Sequence, residues 1–129
     1  MFAWSCMVAA HWIAYCTRTG DQKQALLVLA TVYTIQHLVF DVIWFSPGCI
    51  YYPSCALSDL LIYHLIKNFS YKLKPLNLLL CLSVCLNSFG YFLYMAYLPN
   101  IMYDLPIMVL HAYIIYLLCK DHNHGHGRS

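Results

Sequence analysis

The sequence predicts an all-α, polytopic integral membrane protein, a bundle of about five short transmembrane helices. Three observations carry this expectation. Of the 129 residues, 62% are apolar and only 9% are charged, against about 45–50% and about 25% in a soluble domain. Mean hydropathy is +0.62, and the apolar residues fall in long runs joined by short links rich in Pro and Gly. All seven Lys and Arg residues fall on one side of a five-span arrangement. The composition excludes a soluble globular domain and a disordered chain. It also excludes nucleic acid as a partner, because seven scattered basic residues form no phosphate-tracking stripe.

A spanning helix needs about 20 apolar residues. The first expected span, 2–16, is apolar but short. Its 15 residues cover only about 22 Å of an apolar layer about 30 Å thick. Met1-Phe2-Ala3 carries no basic region, so this stretch does not read as a cleaved signal peptide. The second span, 25–45, is the clearest. The third, 56–69, is short and carries Asp59, His64 and Lys67. Snorkelling of Lys67 or local thinning would let it span; the alternative lays it in the interface and leaves four spans. The fourth, 78–98, is long, with Ser83, Asn87 and Tyr94 as a polar stripe and Gly90 permitting close helix approach. The fifth, 106–119, opens on Pro106, whose missing donor costs nothing in a first turn. A flexible His-rich tail, 120–129, follows.

The links hold turn chemistry: Thr19-Gly20-Asp21, Ser46-Pro47-Gly48, Pro53-Ser54, Pro75 and Pro99-Asn100. Pro lacks an N–H and Gly tolerates positive φ, so such clusters end helices. Arg18 and Lys23 lie in the first link, Lys67, Lys72 and Lys74 around the third, and Lys120 and Arg128 in the tail. With five spans these share one face, which the positive-inside rule makes cytoplasmic. The N-terminus is then outside and the C-terminus cytoplasmic, in a plasma or inner membrane. Trp4, Trp44, Tyr51, Tyr52, Tyr97 and Tyr103 fall near the expected outer boundary, where amphipathic rings prefer to lie.

Ionisable groups inside a membrane are costly and mark functional hypotheses. Here they are His11, His37, Asp41, Asp59, His64 and His111, with Asn87 on the fourth span. Counted from the outer ends, the four histidines fall at a depth of roughly 8–14 Å, with Asp41 and Asp59 within about 6 Å of the outer boundary. Thr34, His37 and Asp41 share one helix face. Asp59 and His64, five apart, do not.

Three readings of this layer stand side by side. The polar groups hydrogen-bond between helices and fix the bundle. Alternatively His37, Asp41, His11, His64 and His111 coordinate Zn²⁺, Cu or haem iron. In the third, they relay protons or ions from the outer face. An enzyme is disfavoured: there is no H-E-x-x-H, no G-x-S-x-G and no Glu.

Cys49 and Cys55 bracket the second link and are expected to form a disulfide if that link is extracellular. His122, His124 and His126 give the tail loose metal affinity. The functional expectation is a small channel-like or transport-associated protein whose His/Asp layer handles protons or a metal ion. The alternative is a non-catalytic effector or accessory subunit: a holin-like lesion former, a viral exclusion or immunity factor, or a scaffold. One chain of 15.0 kDa encloses little volume, so a homo-oligomer or a partner membrane subunit is expected beside the lipid bilayer.

Overall fold

The computed structural model describes residues 2–43, 47–68 and 74–120. They form five helices: α1 Phe2–Thr17, α2 Gly20–Gln36, α3 Gly48–Ile66, α4 Lys74–Met95 and α5 Ile101–Cys119. A π-helical stretch, His37–Ile43, continues α2. The tail beyond Lys120, with His122, His124 and His126, lies outside the described residues, as do the ends of the second and third expected spans.

Four of these helices are long and apolar enough to cross a membrane: Gly20–Ile43, Gly48–Ile66, Lys74–Met95 and Ile101–Cys119. The short member is α1, at 16 residues or about 24 Å. The third segment is not short. Most of the expected second link is helix, because α3 begins at Gly48 and takes Pro53 inside its second turn. Its 19 residues reach about 28 Å, close to the apolar thickness. The fifth helix also starts earlier than expected, so Pro106 lies inside α5 and not at its first turn. Asp104 sits in that first turn, where the positive helix end favours an anion.

Helix ends follow local chemistry. Gly20 takes φ +64 where α1 turns into α2. Tyr97 ends α4 with φ 54. Its N–H donates to Tyr94 O at 3.1 Å and that of Leu98 to Leu93 O at 2.9 Å, the double closure of a left-handed helix terminus. Pro99 then blocks any continuation.

The helices pack as a closed ring. Each touches the next in sequence, α5 returns to α1, and α2 meets α5 across the middle. Outward faces are apolar: Ile13, Ile35, Leu57, Leu61, Leu78, Phe92 and Val109 are exposed, as lipid contact requires. Inside, the two ends differ. Leu26, Leu29, Ile62, Ile66, Leu76, Leu80, Ile114 and Leu118 are each at most 2% exposed and belong to one apolar core. They come from the start of α2, the end of α3, the start of α4 and the end of α5, so they plug one end of the ring. Polar side chains occupy the middle. Toward the other end Tyr52, Leu93, Tyr103 and Ile107 are buried in the same core, and a surface space lies against Tyr52 and Tyr103.

Candidate functional site

The centre of the ring is Asp59, buried on α3. It lies 11 residues from Gly48 and seven from Ile66, so about 16 Å and about 10 Å from the two helix ends. The expectation of Asp59 near the outer boundary fails because α3 starts eight residues before Ala56.

Three donors from two other helices converge on its carboxylate. The Tyr33 hydroxyl on α2 donates to Oδ1 at 2.7 Å. On α4, Ser83 Oγ donates to Oδ2 at 2.6 Å and Asn87 Nδ2 to Oδ2 at 2.8 Å. Tyr103 on α5 donates to Asn87 Oδ1 at 2.6 Å, which fixes the amide's orientation. One carboxylate thus ties together four helices. No Lys, Arg or His among the described residues pairs with it. Ser83 and Asn87 are four apart and share a helix face, and Gly90 continues it. A Cβ on Gly90 would stand 2.6 Å from Tyr103 Cδ2 and 2.7 Å from Tyr52 Cε1, so the bare backbone lets those rings close over the network.

Two histidines flank this core. The His111 ring packs edge-on against Tyr33 at 4.9 Å and Trp4 at 5.2 Å. His11 packs against Tyr33 at 5.3 Å and His111 at 5.9 Å. His11 Nδ1 donates to Met7 O at 2.8 Å, so Nε2 is its free lone pair. His11 Nε2 and His111 Nδ1 are buried without a hydrogen-bond partner.

His37 and Asp41 form a separate, half-buried pair on the π-helical stretch. His37 Nδ1 donates to Asp41 Oδ2 at 2.7 Å, which leaves Nε2 to accept from Ser5 Oγ at 3.0 Å. Local π geometry of this kind often accompanies functional sites. Next to it Gln36 Nε2 donates to Ser54 Oγ at 2.9 Å, and Ser58 Oγ donates to Gln36 Oε1 at 2.6 Å, stitching α2 to α3.

His64 is exposed on α3 and joins neither group. The expected layer therefore divides into His11 with His111, His37 with Asp41, and an isolated His64. Among the described residues no group of three or more His, Cys, Asp or Glu is placed to hold a metal ion. The residues expected to hold Zn²⁺, Cu or haem iron thus do not form one cluster of three or more among the described residues. Cys49 and Cys55 are free thiols on the same helix, six residues apart. That separates them by about 9 Å along the axis, beyond the roughly 4.4–6.8 Å that a disulfide spans. The expected bridge fails because the link between them is helix.

Two spaces lie beside this chemistry. A cavity of about 20 Å³ is bordered by Tyr33, Asp41, Tyr51, Asp59, Asn87 and His111; it has room for about one water. A wider vestibule of about 370 Å³ opens beyond it. Trp4, Asp41 and Tyr51 border both, so they stand between the two. Sequence reasoning marks Asp59 as a membrane-embedded ionisable group and Ser83 and Asn87 as a polar stripe, but does not join them and misses Tyr33. Placing the start of α3 correctly would have put Asp59 level with Asn87. No protein-family model, curated protein or solved structure matches the chain.

Proposed function

We propose that this small multi-pass membrane protein takes up a proton at Asp59 from the vestibule end and works in a transport-associated process. The observation that carries this reading is a buried carboxylate at mid-helix, beside a cavity for one water, below an open vestibule. An acid held only for packing needs no cavity beside it. Its donors suit a change of protonation. When ionised, Asp59 accepts three hydrogen bonds. When protonated, it donates one, and the Ser83 hydroxyl can rotate to accept it. His111, also bordering the cavity, offers a second proton acceptor two helices away.

The apolar plug at the other end rules against a continuously open pore in this conformation. Proton movement across the bundle then requires the ring to open at Leu26, Leu29, Ile62 and Leu80. The charge asymmetry supports an outward vestibule and a cytoplasmic plug, with the plasma or inner membrane as the site. We also propose that the chain works as a homo-oligomer or with a partner membrane subunit.

A second reading has its own support. The Asp59 network joins four helices through four hydrogen bonds, as a purely structural polar core would. It fits a non-catalytic effector, accessory subunit or scaffold. Proton entry into proteoliposomes loaded with a pH-sensitive dye separates the two. Entry in the native protein, reduced at least about tenfold in Asp59→Asn with folding retained, supports proton handling. Absence of entry, or equal entry in the variant, supports the structural core.

A further inference from the structure

The vestibule lies within the size range of small-molecule sites, about 300–1,000 Å³, at about 370 Å³. Its described walls are aromatic and acidic. Trp4, Tyr51, Tyr52 and Tyr94 supply rings, and Asp41 and Asp104 supply carboxylates. No Lys, Arg or His is among the described lining residues.

The rings are held in place before any ligand arrives. Tyr52 packs edge-on against Tyr51 at 5.5 Å and against Tyr103 at 4.9 Å. Gly48 and Gly90 carry no Cβ where Tyr94, and Tyr52 with Tyr103, come closest. Such preorganisation lowers the cost of binding. Asp41 spends Oδ2 on His37, and Asp104 is exposed at the rim.

Ligand classes can be separated on this lining. An anion meets the two carboxylates of the lining. A neutral apolar molecule gains nothing from the carboxylates. A hard metal cation wants several oxygen ligands and holds its water tightly, which ring faces do not replace. A weakly hydrated organic cation uses both features, since ring faces attract cations and are the usual cage for quaternary ammonium groups.

We propose that the vestibule binds a small organic ammonium ion, quaternary or methylated, against the Trp4, Tyr51, Tyr52 and Tyr94 rings, with Asp41 and Asp104 balancing its charge. This stands independently of proton uptake at Asp59, and its test reads binding alone. The probe is tetramethylammonium chloride, titrated by calorimetry into the full chain in a non-ionic detergent. Sodium chloride and tert-butanol, the latter a neutral molecule of similar shape, serve as references. The expected result is saturable binding of tetramethylammonium only. Asp104→Asn and Tyr94→Leu, both at exposed positions, should each weaken it at least about fivefold while the protein stays monodisperse. Absence of saturable binding, equal binding of tert-butanol, or unchanged affinity in both variants overturns the proposal.

Discussion

Replacing Asp59 by Leu removes the acceptor from three donors at once: Tyr33, Ser83 and Asn87. Interhelical hydrogen bonds in membranes contribute about 0.6–2 kcal/mol each, so Asp59→Leu should cost roughly 2–6 kcal/mol, read from reversible unfolding in mixed detergent micelles. A loss below about 0.5 kcal/mol would mean that the network does not hold the helices. At this scale the sequence reading was uneven. His37 and Asp41 were legible as a pair because i, i+4 spacing on a helix brings side chains together whatever the neighbours do, and they meet at 2.7 Å. Ser83, Asn87 and Gly90 were legible as one face for the same reason. The meeting of His11 with His111 across Tyr33 was not, since it depends on which helices adjoin. Nor was the exposure of His64, which depends on how α3 is rotated.

Element boundaries decided most of the rest. Pro53, Ser54 and the nearby Pro47-Gly48 pair read as a link, yet only Pro47 lies outside the helix. A proline in the second turn removes one backbone hydrogen bond near an end where several donors lack partners already. In an apolar environment a longer helix is still the better way to satisfy the backbone. That one shift moves Asp59 to mid-helix, rules out a bridge between Cys49 and Cys55, and makes α3 long and apolar enough to cross a membrane. The α3–α4 contact rests on Gly90. Gly90→Ala would push a methyl into the buried Tyr103 and Tyr52 rings. Overpacking of this kind costs about 1–3 kcal/mol, and the same unfolding measurement should show it. The change should also disturb the vestibule wall, so tetramethylammonium affinity should fall together with stability. A stability unchanged within error would show that the rings can move aside.

Taken as one molecule, the chain is a ring of helices with lipid-suited residues outside, an apolar plug at one end, a buried polar core and a surface vestibule toward the other end. The fold class was readable because hydropathy and charge are summed over long stretches, which local errors do not disturb. The closed ring was not readable, since its closure is the contact of α5 with α1, and no local pattern encodes that contact. Under the proposed function Asp59 exchanges protons with the vestibule end alone. Difference infrared spectroscopy on uniformly oriented proteoliposomes, with a pH step applied to one face at a time, tests this most directly. The expected result is a protonated-carboxyl band that changes only when the vestibule face is stepped and is missing in Asp59→Asn. A spectrum in which no band depends on Asp59, or one that responds equally from both faces, would contradict one-sided proton uptake.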